Sequence, residues 1–348
     1  MGGRNIADSY FGASSDVYFR DLDVLAMGPI ARQVSAVFDD YWNCVLSIPL
    51  KALVSGGPAA DELEGTRRDL ASQRESLNNS TYGVKMRTSD FLKKAEAGTL
   101  PLVWAPAEVL SDNPLKVFDS GIPSKMAQDI RDFLESARYE LLMISPYLVP
   151  GKAGVQWFKK MRERGVTVKI ITNSLASTDS LVAQFGYMRY RKDLLRMGVD
   201  LYELRAAPEL RRGEDESRGE LGQLRGPGGS AGSGGSSSHG ALHAKLLVLD
   251  RQALFVGSFN LDPRSSRFDT QDGIIIHSPE LAKQATALFA RDSSFTRSYR
   301  LSLTADDDLV WVTEENGKEV RTYKDPMSGF RRRILGRFLF LFTPEAML

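Results

Sequence analysis

The sequence is poor in the residues that most often announce chemistry. Its 348 residues hold one cysteine, Cys44, and three histidines, His239, His243 and His277. A single cysteine excludes an internal disulfide and fits a reducing compartment. Its neighbours, YWNCVLSIPL, are apolar, which predicts a buried structural thiol. No His/Cys cluster of metal-ligand spacing is present, which suits a site that uses neither metal nor cofactor. Net charge is also scarce, at +1. Such a balance exerts no long-range pull on nucleic acid or anionic lipid, and no basic stripe favours nucleic acid. No run reaches the roughly 18 apolar residues of a spanning helix, and no signal peptide opens the chain.

What is present is a regular alternation. Residues 16–48 read as a strand, VYFRDLDVLAMG, and a helix entered through Pro29. Residues 51–80 turn polar and read as a solvated helix or a linker. From about Lys116, helical patterns (SKMAQDIRDFLESA, GVQWFKKMRERG, SLVAQFGYMRYRKDLLRMG) alternate with strands (YELLMISPYLV, VTVKIITNSL, VDLYELR). Gly165 and Gly198 close two of these helices. The pattern predicts an α/β fold with a parallel or mixed sheet and helices on both faces. Residues 206–241 lose periodicity around GPGGSAGSGGSSS, the composition of a flexible loop. Three apolar segments follow, LHAKLLVLD, ALFVGSFN and DGIIIHS, then a helix from Pro279.

The chain also repeats itself. Gly2, Gly3 and Asn5 match Gly257, Ser258 and Asn260. Residues 21–28 match 271–278, Pro29 matches Pro279, and Phe38 matches Phe289 to within one residue. Each copy runs turn, Asn, strand, Pro, amphipathic helix. In the second copy, His243 and Lys245 precede the turn. The equal count back from Gly2 passes the first residue, so the chain is expected to start inside its first repeat. A misplaced start and a truncated gene are both open.

The stretch that carries chemistry is HAKLLVLDRQALFVGSFN. On a strand, His243 and Lys245 project to one side, with Leu247 and Leu249. A neutral imidazole can attack phosphorus or pass a proton. The lysine supplies fixed positive charge for phosphate oxygens. The small residues of Gly-Ser-Phe-Asn let backbone N–H groups, a hydroxyl and an amide approach an anion.

The spacing H-x-K-x4-D, followed by G-S-x-N, resembles the phospholipase D superfamily. The stretches GGRNIADSYFG, DLDVLAMGP, ISPYLVPG, ITNSLASTD, YMRYRKDLL, LHAKLLVLD and GSFNLDPRS are similar to bacterial cardiolipin synthases of the class C type. The resemblance implies two phospholipase D-like α/β/α sandwich halves about a pseudo-twofold axis. Here the first half is incomplete: 1–110 would be its remnant and 111–348 the second. It also implies phosphatidyl transfer through a phosphohistidine, with no metal. Phosphatidylglycerol or a similar phospholipid would be the substrate, at a membrane surface reached peripherally. Alternatives are a phospholipase D-type phosphodiesterase and a non-catalytic phospholipid-binding remnant.

By the same resemblance, His243, Lys245 and Asp250 take the catalytic motif positions, His243 that of the second motif's histidine, usually assigned as the acid that protonates the leaving alcohol, and Asp250 in a more structural role. Ser258, Asn260, Gly3 and Asn5 take phosphate-binding positions. Asp21 and Gln271 fall where the family places a histidine-orienting carboxylate. That pairs the one histidine with an amide, unless a one-residue slip brings Asp272 there. The other H-x-K is absent. A homodimer uniting two His243 rings is disfavoured, because residues 2–42 should fill that side of the site. Tyr187, Tyr190 and Arg191 share a helix face and read as packing over headgroup contact. The tail Phe330 to Phe342, with Arg331, Arg332, Arg333 and Arg337, fits a membrane interface or a docked terminal helix equally.

Overall fold

The computed structural model describes residues 1–11, 17–54, 57, 60–79, 81–119, 121–206 and 239–328. Most of the flexible-loop expectation and all of the Arg-rich tail lie outside these residues. In chain order the strands are β1 (Val17–Arg20), β2 (Ala107–Ser111), β3 (Glu140–Ile144), β4 (Thr167–Asn173), β5 (Asp200–Leu204), β6 (His239–Leu242), β7 (Leu246–Leu249), β8 (Ala253–Gly257), β9 (Asp272–His277), β10 (Ser298–Leu303), β11 (Leu309–Glu315) and β12 (Lys318–Thr322). The helices are α1 (Ile30–Trp42), α2 (Leu50–Leu53), α3 (Ala60–Asn79), α4 (Thr81–Thr88), α5 (Asp90–Glu96), α6 (Lys125–Glu135), α7 (Gly151–Glu163), α8 (Leu181–Met188), α9 (Arg191–Arg196), α10 (Pro263–Arg267) and α11 (Pro279–Asp292).

Ten strands form one mixed sheet in the order β12-β11-β10-β5-β4-β3-β7-β8-β9-β2. Its parallel part is β3-β4-β5, and the remaining pairs are antiparallel. The α/β class and the mixed sheet are as the alternation predicts. The closing meander β10–β12 and the edge strand β2 carry no comparable sequence signal. Helices cover both faces. One apolar layer joins Met126, Ile130 and Phe133 of α6 to Phe158 of α7, Leu194 of α9 and Leu247, Leu249 and Phe255 of the sheet. The other joins Ile30 of α1 and Ala282, Ala285 and Phe289 of α11 to Leu246, Val248, Leu254 and Ile274. Alternate strand residues thus serve opposite layers, as the pleat requires.

Residues 1–54 add little to this sheet. Their one strand among the described residues, β1, pairs in parallel with β6 in a separate two-stranded sheet. The repeat is nonetheless visible in the backbone. Gly2 bridges Asp23 in antiparallel fashion, as Gly257 pairs with Gly273. The polar stretch after residue 55 is helix rather than linker over Ala60–Asn79, with nearly every described side chain exposed. Cys44 is only half-buried, because much of the apolar run around it lies on the surface. The predicted helix over 180–197 breaks into α8 and α9. Tyr187, Tyr190 and Arg191 are buried there. Arg191 sits 2.9 Å from carboxylates of Glu203 and Asp325, and over the rings of Tyr187 and Trp311. That is packing. No described helix is long and apolar enough to cross a membrane.

Candidate active site

The segment LHAKLLVLD is not one strand. It breaks after Leu242 and resumes at Leu246, and His243 and Lys245 occupy the break. The break is held from outside. The N–H groups of His243 and Ala244 both donate to the Arg20 carbonyl, at 2.8 and 3.1 Å. Asn173, at the end of β4, exchanges two 3.0 Å hydrogen bonds with the Leu242 backbone. Register then does the rest. Arg20 lies opposite Leu242, so the next residue along, Asp21, falls beside His243.

Asp21 Oδ2 lies 2.8 Å from His243 Nδ1, and the carboxylate is fully buried. An ionised carboxylate only accepts, so Nδ1 carries the proton and Nε2 keeps its lone pair. The amide pairing expected from the repeat is therefore corrected: the histidine faces the carboxylate of Asp21, not Gln271. Gln271 is committed elsewhere. Its backbone N–H and C=O bind Asp112, whose carboxylate also takes the buried Lys116 ammonium at 2.7 Å. Asp272, the alternative partner, is bound to Ser258.

Lys245 is buried, and its ammonium donates to the His243 carbonyl at 2.6 Å. It lies 2.9 and 3.0 Å from the two ring nitrogens. Burial pushes it down to about 7, against the opposing pull of Asp21, Asp179 and Asp262. Burial likewise pushes the Asp262 carboxyl up to about 6. Gly3 lies against this cluster. A Cβ there would come within 2.9 Å of Asp21 Oδ1 and 3.0 Å of Lys245 Cδ, so only glycine lets the chain approach this closely.

Of the residues predicted for the site, the structure thus joins His243, Lys245, Asp21 and Gly3. Others are not joined by hydrogen bonds. Ser258 exchanges hydrogen bonds with the Asp272 backbone. Asn5 is exposed, and its side chain accepts from Ile6 N–H. Asn260 is buried, with an amide oxygen that has no partner among the described residues. Asp250 holds the catalytic motif's position but stands apart from the histidine, in keeping with the more structural role expected of it. It lies past the far end of β7, roughly 20 Å of extended chain from His243. Its carboxylate clamps the N–H groups of Arg138, Tyr139 and Glu140 at 2.7 to 2.9 Å.

Sequence reasoning missed an aromatic wall. The rings of Tyr10, Phe19 and Tyr147 stand 5.1, 5.3 and 6.2 Å from the His243 ring. The Tyr10 hydroxyl lies 3.2 Å from Nε2. The Tyr147 hydroxyl donates to Asp179 at 2.6 Å. Tyr147 and Asp179 follow the carboxyl ends of the parallel strands β3 and β4, where open α/β sheets place their sites. That rule was the available signal. An imidazole oriented by a carboxylate, with a lysine beside it and an unprotonated Nε2, can form a bond to phosphorus.

Residues 130–293 match the family model described as cardiolipin synthase, phospholipase D-like domain. Cardiolipin synthase C of Escherichia coli is 36% identical over 351 residues, covering all of this chain and 70% of that protein. An uncharacterized protein of Helicobacter pylori is 29% identical over 96% of this chain and 62% of its own length. The chain therefore spans between about three-fifths and seven-tenths of these relatives. Among solved structures, phosphatidylserine synthase of Haemophilus influenzae superposes with a TM-score of 0.45 at 15% identity, covering 89% of this chain and 59% of that one. On the extent and identity of the match to the Escherichia coli synthase, the chain belongs to the cardiolipin synthase family of phospholipase D-like proteins.

Proposed function

We propose that the protein is a phosphatidyltransferase that makes cardiolipin from phosphatidylglycerol or a similar phospholipid. The observation that carries this is the 2.8 Å contact of the buried Asp21 carboxylate with His243 Nδ1, which leaves Nε2 as the nucleophile. Nε2 bonds to phosphorus, the bond to the leaving alcohol breaks, and that oxygen takes up a proton. A second alcohol then displaces the histidine and receives the phosphatidyl group. Asp21 stabilises the imidazolium character that develops as the bond forms. Lys245 serves the phosphate oxygens. With its value pushed down to about 7, it is partly neutral when the site is empty, and an arriving phosphodiester anion restores its charge. Asn260, with its unpartnered buried amide oxygen, and the Gly3 backbone complete the phosphate cradle in this reading. Work at a membrane surface follows from the lipid substrate.

The test is acid-quench trapping. The protein is mixed with radiolabelled phosphatidylglycerol in mixed micelles, and acid-labile label on the chain is counted. Label is expected on wild type and absent from His243→Ala. A folded wild-type protein that binds the lipid and never becomes labelled would favour the non-catalytic reading.

A further inference from the structure

We propose that Tyr10 marks the phosphorus site on His243: its hydroxyl donates to the Nε2 lone pair while the site is empty and yields that position to phosphorus when the substrate binds. This rests on the phosphohistidine reading of the same site. The geometry assigns the roles. Asp21 fixes the proton on Nδ1, so Nε2 can only accept. Two donors approach Nε2, Lys245 Nζ at 3.0 Å and Tyr10 Oη at 3.2 Å. Lys245 Nζ is nearly equidistant from both ring nitrogens. Such a point cannot lie in the ring plane without striking Cε1, so the ammonium rides over the ring face. The in-plane lone pair is left to the tyrosine.

Tyr10 is itself built in. Its ring is buried, lies tilted at 31° against Phe19 with centroids 4.6 Å apart, and meets the imidazole at 85°, edge to face. Burial, with the nearby Asp21 and Asp179, pushes its phenol up to about 12, so it stays protonated and donates. The remaining groups facing the ring are Phe19, Tyr147 and the Lys245 ammonium, and none of the two rings is hydrogen-bonded to it. When a phosphodiester arrives, Nε2 bonds to phosphorus and the bond to the leaving oxygen breaks. That oxygen takes its proton from water. The tyrosine keeps its own proton and passes its hydrogen bond to a non-bridging phosphoryl oxygen.

The experiment uses nitrogen-15 NMR of the imidazoles together with turnover. Three histidines give few signals, and His243→Gln identifies the relevant ring. Wild type should show Nδ1 protonated and Nε2 hydrogen-bonded. In Tyr10→Phe, which keeps the ring packing, Nε2 should shift to the value of a free acceptor. The trapping rate at saturating lipid should fall about tenfold with little change in KM, as expected for one lost hydrogen bond. Identical Nε2 signals in the two proteins would overturn the proposal. So would a free-acceptor Nε2 in wild type, a result that stands even if the variant folds poorly. A shifted Nε2 with no label on wild type would keep the tyrosine contact and overturn the phosphohistidine reading instead.

Discussion

The two copies of the repeat share a phrase and differ in what surrounds it. In the second copy, the turn at Gly257 leads back through five paired residues of β8 and β9, and α11 seals one layer of the core. In the first, the turn at Gly2 makes a single bridge to Asp23, and α1 lies largely on the surface. Phe289 is 2% exposed, whereas Phe38, its counterpart to within one residue, is 59% exposed. Trp42, stacked on Phe38 at 5.6 Å, is 69% exposed. Sequence pattern sets the local shape of both copies, and the neighbouring sheet decides which becomes core. The lesson runs the other way for chemistry. The loosely packed copy supplies the fully buried Asp21 to the histidine beside the tightly packed one. An ion pair of Arg20 with Asp292 at 3.0 Å fastens that strand to α11.

The sharpest way to break this division is at the carboxylate. Asp21→Asn keeps the shape and removes the charge that favours the correct tautomer. The phosphohistidine trapping rate should fall by about 10²–10⁴-fold, with thermal unfolding little moved. Gln271→Ala should change the rate less than about threefold, because its backbone, not its amide, holds Asp112. A reversed ranking would mean that each copy serves its own histidine position after all.

That ranking also marks what a linear sequence can show. The alternation of β3 to β5 with helices was legible from periodicity and capping glycines, and Gly165 and Gly198 do take positive φ. His243 and Lys245 were legible from spacing. The partner of His243 was not, because Asp21 arrives through a β1–β6 ladder that joins residues more than 200 apart. Counting along the repeat assigns each carboxylate position to its own copy, and register overrides that count. Tyr10 was hidden for the same reason. Asp250 fits the motif in the structural role expected of it, and what it clamps is a turn. Its role follows from φ of +52° and three backbone donors that no spacing rule contains.

Packing offers the second test of the comparison. Phe289→Ala removes a buried ring from the layer between α11 and the sheet, and should cost about 3–5 kcal/mol in denaturant unfolding. Phe38→Ala removes a largely solvated ring and should stay within about 0.5 kcal/mol. Near-equal losses would show that α1 is covered in solution by something that buries it as the sheet buries α11.

The last test bears on why the site residues sit in the well-packed copy. Lys245 is buried there and pushed down to about 7, well below the ordinary lysine value of about 10.4. The unfolded chain therefore holds a proton between those limits that the folded chain does not. Stability then rises with pH from about 7 to about 10, by the linkage between proton uptake and unfolding. Lys245→Met abolishes this contribution, so the difference in unfolding free energy between variant and wild type should be largest near pH 7 and shrink toward pH 10. Other groups titrate in this range, but they do so in both proteins and cancel in the difference. A phosphodiester analogue should flatten the wild-type slope by restoring the charge, and leave the variant unmoved. A difference that is constant with pH would mean that Lys245 keeps its proton in the empty site and that its burial is offset by the carboxylates around it.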